Sequence, residues 1–445
     1  MTSLTAMPKY EVYKDSGGEW LGNIPGHWRV IRLKNAAFIN PVSDISSCDL
    51  DEVVCFLPME KVGTDGAVEY DQYRTLRSVK QGFTSFQNND VIIAKITPCF
   101  ENGKGAHLKN MPTKFGYGST EFHVLRAYKN YNPAFLYYLT KSHLFMYLGE
   151  QLMTGSAGQK RVPTSFISDF LFASPSEDEQ TAIANFLDEK TAKIDEAIAI
   201  KEKQIELLKE RKQIIIQQAV TQGLDPTVPM KDSGVEWIGQ IPAHWNVVKL
   251  KYPSTQIVDG THFTPTYVDQ GIPFLRVTDL SNMVDGKINW QDVCYIPEKE
   301  HNTLIKRAKG EIGDVLISKN GTIGLTKVID WDEEFSFFVS LCLIKLRKEI
   351  SPYYFTSFFN SPIVDQQITF GSSKTSVTNL HLEKIKELLV ILPPLNEQND
   401  IDEYVKANSK DLDLVIGSLL KQIEKLNEYK TTLINSAVTG KIKVV

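Results

Sequence analysis

The residues best suited to chemistry gather in two short stretches. Residues 14–34, KDSGGEWLGNIPGHWRVIRLK, and 231–251, KDSGVEWIGQIPAHWNVVKLK, are identical at 14 of 21 positions. Each sets a glutamate beside one tryptophan (Glu19–Trp20, Glu236–Trp237) and a histidine beside another (His27–Trp28, His244–Trp245). A carboxylate and an imidazole could share a proton transfer, and an indole could stack on an unpaired base. A second acid–base pairing recurs downstream. NDVIIAK (Asn89–Lys95) and GDVLISK (Gly313–Lys319) each hold an aspartate and a lysine at the ends of an apolar run. Neither arrangement reads as catalytic. In the openers, packing at a junction is the expected role for His27, His244 and the four tryptophans. The Asp…Lys runs lack the second carboxylate of a nuclease metal site and read as strand ends. The eight histidines make no metal-ligand pairs, and Cys48, Cys55, Cys99, Cys294 and Cys342 are too dispersed for one, so no metal site is expected. An odd, scattered set of cysteines fits a reducing cytoplasm.

Cofactor chemistry finds no better footing. There is no GxxxxGK[ST] phosphate loop, and Gly103 and Gly105 lack a dinucleotide fingerprint and a following helix. Asn132–Phe135 (NPAF) shares two residues with the Asn-Pro-Pro-aromatic loop of amino-methyltransferases, but it lacks the second proline and an upstream glycine-rich loop. It reads as a helix start, since Asn-Pro supplies an N-cap and a first-turn proline. No catalytic residue is assigned in this chain.

Composition sets the outer bounds. A chain of 445 residues with 42% hydrophobic and 23% charged residues suggests a globular protein of two to four domains. No run of about 18 apolar residues exists and the start is polar, so neither a membrane span nor a signal peptide is expected. The net charge of −5 argues against gripping nucleic acid by bulk electrostatics. Residues 1–170 carry 18 basic and 16 acidic side chains, whereas 223–392 carry 17 and 20. Any phosphate-neutralising surface must be local or supplied by a partner.

The elements that position these residues are duplicated throughout. HVLR (His123–Arg126) is echoed by IKLR (Ile344–Arg347), EDEQTAI (Glu177–Ile183) by LNEQNDI (Leu395–Ile401), and AVT at Ala219–Thr221 by Ala437–Thr439. Glycine follows each AVT, at Gly223 and Gly440. Both halves therefore run opener, mixed α/β region, long helix, glycine stop. In the first helix Leu187, Thr191, Ile194, Ile198, Lys201, Ile205, Leu208, Lys212, Ile215 and Ala219 form a heptad seam. Val405, Ser409, Leu412, Ile416, Leu419, Ile423, Leu426, Lys430, Leu433 and Ala437 form the second, each position being the first plus 218. Ser176 and Glu179 make a capping box, and Gly223 with Pro226 a stop. The expected architecture is α+β: two pseudo-twofold related α/β domains joined by a long antiparallel two-helix coiled coil. Its segments are 1–175, 176–222, 223–393 and 394–445. At about 1.5 Å per residue the first helix would hold the two α/β regions some 60–70 Å apart, as a ruler.

The chain resembles type I restriction–modification specificity subunits over nearly its whole length. The matching stretches are EWLGNIPGHW and EWIGQIPAHW, AKITPCFENGKGA, GSTEFHVLR, MTGSAGQKRVP, DGTHFTPTYVDQGIPFLRVTDL, ISKNGTIG, and the Glu-Gln pair before each helix. The resemblance implies two target recognition domains, each reading one half of a split site in double-stranded DNA. It implies two methyltransferase (M) subunits holding S-adenosylmethionine, and restriction/translocase (R) subunits using ATP and Mg. This chain would hold no cofactor of its own and would work in the cytoplasm.

Base reading needs Arg, Lys, Asn or Gln forks, with hydroxyls on phosphates. In the first domain the candidates are Arg74, Arg77, Lys80 and Gln81; Lys95, Thr97 and Lys104; and the loop with Ser156, Gln159, Lys160 and Arg161. In the second they are Thr261, His262 and Thr264; Lys319, Asn320 and Thr322; and Ser372, Ser373, Lys374 and Thr375. The competing expectation is a coiled-coil scaffold that organises partners without reading DNA.

Overall fold

Each long helix is decided at its ends. Ser176 donates its backbone N–H to the Glu179 carboxylate (3.1 Å) and accepts the Glu179 N–H on its hydroxyl (3.4 Å). That reciprocal cap starts the helix Glu177–Gln222. Gly223 ends it at φ +73°, a left-handed backbone that glycine adopts without strain. The second long helix, Leu395–Val438, stops at Gly440 with the same φ of +73°. The computed structural model describes residues 7–18, 20–156, 158–284, 286–369 and 379–444. They fold as two compact units, one of residues 1–201 with 420–445 and one of 202–419, and the boundary falls inside both long helices.

Within each unit the two long helices run antiparallel, and every seam position is buried or half-buried. In the first unit Leu187 and Ile194 share a core with Leu426 and Leu433. In the second, Ile216 and Ala219 share one with Ile401 and Val405. The three seam lysines reach across to the partner helix. Lys201 donates to the Gln422 amide oxygen (2.7 Å), Lys430 to both Asp195 oxygens (2.6 and 2.7 Å), and Lys212 to both of Asp413 (2.8 and 2.7 Å). Two of these ammonium groups meet a carboxylate and the third an amide oxygen, while their stems shelter in the seam.

The openers lock the helix ends. Trp28 and Trp245 are fully buried, which at about 25 cal/mol per Å² over roughly 150–250 Å² favours folding by about 4–6 kcal/mol each. Their indole N–H groups donate to Glu179 (3.2 Å) and Glu397 (2.9 Å), so the Glu of each Glu-Gln pair is claimed by its own opener. The adjacent glutamines brace the next helix: Gln180 accepts the Asn132 N–H (2.9 Å) and Gln398 the Ser351 N–H (2.8 Å). Asn132 in turn caps Pro133–Thr140 by accepting the Ala134 and Phe135 N–H groups, so NPAF is a helix start. Three opener residues depart from the packing expected of them. His27 and His244 lie largely exposed, hydrogen-bonded to Glu179 (2.9 Å) and Glu397 (2.8 Å), and Trp20 is 60% exposed.

Between opener and helix, both units build the same sheet. In the first the strand order is Ala37–Ile39, Phe122–Ala127, Val91–Ala94, Gly105–His107. In the second it is Ser254–Asp259, Leu341–Leu346, Val315–Ser318, Thr326–Val328. A second sheet accompanies each, four-stranded in the first unit and three-stranded in the second, and each contains one parallel pair: Val53–Leu57 with Phe115–Gly118, and Ile272–Leu275 with Ser336–Phe337. The aspartates of the two DV runs are structural. Asp90 is buried and takes a two-pronged bond from Arg126 (2.9 and 2.8 Å); Asp314 accepts from Lys345 (2.7 Å). The register also corrects one echo. Leu125 pairs Val91 as Ile344 pairs Val315, so Arg126 corresponds to Lys345 and not to Arg347.

Candidate nucleic-acid interface

In the first unit the strand Val91–Ala94 hands its end to Lys95. The Lys95 N–H donates to the Glu121 carbonyl (2.8 Å), and the Lys95 carbonyl accepts the Val162 N–H (2.8 Å). The polar loop that precedes Val162 is thereby drawn to the strand end. Thr97 donates its N–H to the Lys160 carbonyl (3.0 Å), and Ile96 pairs with Arg161. The Arg161 guanidinium forks onto Glu121 (2.9 and 2.9 Å) and holds that carboxyl below its ordinary range. Lys104 lies alongside, its carbonyl accepting the Ala94 N–H (2.9 Å) and its ammonium donating to the Met59 carbonyl (3.2 Å). Lys95, Thr97, Lys104, Lys160 and Arg161 are therefore one neighbourhood, with Ser156 and Gln159 exposed on the loop above it.

The remaining first-unit candidates line a sheet edge. Arg74 sits in the edge strand Tyr73–Thr75, its guanidinium 3.6 Å from the Phe56 ring centroid. Stacking fixes the plane of the fork and leaves its edge available. Arg77 forks onto Asp51 (3.1 and 3.3 Å), while Lys80 and Gln81 are exposed just beyond.

The second unit repeats the strand-end arrangement. The Lys319 N–H donates to the Ser340 carbonyl (2.8 Å), its carbonyl accepts the Leu380 N–H (2.7 Å), and Asn320 pairs with Asn379. The side chains differ. Lys319 is buried, with its ammonium 3.3 Å from the buried carboxylate of Asp259. Asp259 also accepts from Arg307 (2.5 Å) and lies 3.1 Å from the His262 ring nitrogen. Burial pushes the Asp259 carboxyl up, but the Arg307 hydrogen bond and the Lys319 charge outweigh it and the group ends below its ordinary value. A cavity of about 280 Å³ opens beside this cluster, lined by Asp259, Thr261, His262, Phe263, Arg307 and Ser336 among others. Thr261 is buried and turns the GTHFTP loop through its hydroxyl, whereas Thr264 and Thr322 are exposed. Ser372, Ser373, Lys374 and Thr375 lie outside the described residues.

Three residues of these clusters escaped the sequence reading: Glu121, Asp259 and Arg307. Asp259 immediately precedes GTHFTP and could have been found there. Arg307 could not, because its contact spans 48 residues and no local pattern marks it. Among the described residues no group of three or more His, Cys, Asp or Glu could hold a metal, and no helix is long and apolar enough to cross a membrane.

Comparison with known proteins bears on this duplicated frame. Residues 64–210 and 260–425, one stretch for each recognition region with part of its helix, match the family model of the type I restriction modification DNA specificity domain. The chain belongs to that family. Among curated members of the specificity family, the EcoAI specificity subunit of Escherichia coli is 40% identical over 163 residues, 36% of this chain. That match spans only 27% of the EcoAI subunit's own length. The EcoKI specificity subunit of Escherichia coli K12 is 26% identical over 351 residues, 76% of this chain and 72% of the relative. Two solved structures share the specificity fold. A chain of a type I R-M system, from work on its complex assembly and conformational transition, superposes with a TM-score of 0.72 at 18% identity, covering 93% of this chain and 98% of that one. The HsdS subunit from Thermoanaerobacter tengcongensis does so at 0.52 and 16%, covering 94% and 98%.

Proposed function

We propose that this chain is the DNA-reading member of a type I restriction–modification assembly. Each unit reads one half of a bipartite site in double-stranded DNA, and the paired helices set the unread spacer. Methylation and restriction are carried out by partners: two methyltransferase subunits with S-adenosylmethionine, and restriction/translocase subunits with ATP and Mg, all in the cytoplasm. The observation that carries this reading is a sheet and a helix frame built twice, with different side chains presented at the same place. A frame kept constant under a changing surface is what two separate half-sites require. In the first unit Arg74, pre-oriented on Phe56, is suited to a bidentate contact with guanine in the major groove.

The test is genetic and direct. Replacing residues 35–170 with the corresponding region of another family member, then mapping methylated adenines across the host genome, should change one half-site and leave the other. A change in both halves refutes the division of labour. Failure of the chain to shift duplex DNA in a gel, alone or with a co-purifying methyltransferase subunit, would favour a scaffold.

A further inference from the structure

Lys95 and Lys319 occupy one backbone position in two different domains. Each donates its N–H to the carbonyl of the residue before a strand of its sheet, Glu121 or Ser340, and its own carbonyl accepts from a residue far along the chain, Val162 or Leu380. Around each lysine the chain assembles the same inventory from unrelated places. In the first unit it is Lys95 with Arg161, Glu121 and His123, and in the second Lys319 with Arg307, Asp259 and His262. Glu121 precedes a strand that Asp259 does not belong to, and Arg161 and Arg307 come from different segments. Different segments therefore present the same charges.

The charges do not balance. Each cluster holds two permanent cations and one carboxylate. Lys95 forms no ion pair among the described residues, and Lys319 shares its only carboxylate with two other side chains. A buried cation that is only partly compensated favours an anion nearby. Beside Asp259 there is room for one: a cavity of about 280 Å³ is lined by Arg307, His262 and the Thr261 turn, together with the Asp259 carboxylate that Lys319 and Arg307 already pair.

We propose that these two strand-end clusters are equivalent phosphodiester sites, one per unit, that grip the DNA backbone without reading its sequence. This rests on the DNA-reading function proposed above and deepens it. The choice of phosphate over base follows from the conserved charge. Two domains with different targets need different base contacts, but every target presents the same phosphates. Sequence reading would then lie on the surfaces the units do not share, such as the Arg74 edge.

The test uses the full chain with its co-purifying methyltransferase subunit and two fluorescent duplexes of about 40 base pairs. One carries the mapped target and the other a scrambled sequence. Lys95→Met and Arg307→Gln each alter a side chain that is at least partly solvent-facing, and Lys95→Arg and Arg307→Lys restore the charge. Losing one phosphate contact removes about 0.9 from the slope of log affinity against log salt, which at 0.15 M salt is about a fivefold loss. That loss should be equal on both duplexes, absent in the charge-keeping variants, and accompanied by an unchanged methylation motif. Unchanged slopes, with the wild type binding normally, overturn the phosphate sites and leave the DNA-reading function standing. A relaxed preference at one base pair also overturns them, because it would make these side chains readers. A wild type that binds neither duplex instead refutes the function on which the proposal rests.

Discussion

Glu179 serves three groups at once. Its carboxylate caps the first long helix through Ser176, accepts the Trp28 indole N–H, and holds the His27 ring. Burial alone would raise its pKa, yet these hydrogen bonds, His27 first among them, bring it below its ordinary value. Glu179→Ala removes the cap and leaves a buried indole N–H without an acceptor, so a loss of about 2–3 kcal/mol is expected by denaturant unfolding. Combining it with Trp28→Phe should cost less than the two losses added, and strict additivity would show that the bond carries no coupling. His107 offers a pH test. Neither of its ring nitrogens has a hydrogen-bond partner among the described residues, and burial, helped by Lys109, pulls its pKa down to about 4. An unfolded imidazole titrates near about 6.5. As pH falls below that value the unfolded chain binds the proton and the folded one does not. Stability should therefore decline from about pH 6.5 to about pH 4 and level off beneath it. His107→Leu should remove that decline from the urea midpoint, and an unchanged profile would assign it to another group. The sequence marked the glutamate through its Glu-Gln repeat, but gave no sign of His107, whose strand is covered by the helix Pro133–Thr140 further along the chain.

The long helices were legible as elements because a heptad seam needs only local spacing, and every seam residue found a sheltered place. The sheet register was not. HVLR and IKLR look alike as strings, but hydrogen bonding matches Arg126 with Lys345, each answering the aspartate of its DV run. Letter similarity is blind to which cation faces which acid. The second long helix sets two glycines of opposite meaning, Gly417 inside it and Gly440 just past its end. At Gly417 an added Cβ would meet nothing within 4 Å, so Gly417→Ala should raise stability by up to about 1 kcal/mol through helix propensity. At Gly440 it would lie 2.5 Å from Pro25 and 3.0 Å from the Trp28 ring, on a backbone at φ +73°. Gly440→Ala should destabilise by about 1–3 kcal/mol. Thermal unfolding of both variants decides this, and equal shifts would mean that the end of the helix is not held by the opener.

For the whole molecule the duplicated order was readable, while the side chains that meet on each recognition surface were not, because contacts such as Asp259–Arg307 join segments far apart in sequence. The paired helices set a stricter condition for changing a DNA spacer than lengthening one of them. Because Lys212 must meet Asp413 and Lys430 must meet Asp195, an insertion in one helix alone shifts a seam against its partner. A seven-residue insertion in both helices, within the same unit and at matching levels, preserves the seam and adds about 10 Å. The methylated motif should then gain about three unread base pairs at 3.4 Å each. An unaltered motif in a folded, active variant would reject the helices as the spacer.

In each unit the strand that enters the α/β region lies beside the strand that leaves it: Arg29–Arg32 pairs Leu171–Ser174 in the first, and Asn246–Lys249 pairs Leu389–Leu392 in the second. Everything between those two strands thus begins and ends at one zipped joint, while the openers and helices that hold the joint lie outside it. Another interior that begins and ends on the same pair of strands would inherit a closed socket instead of a new folding problem.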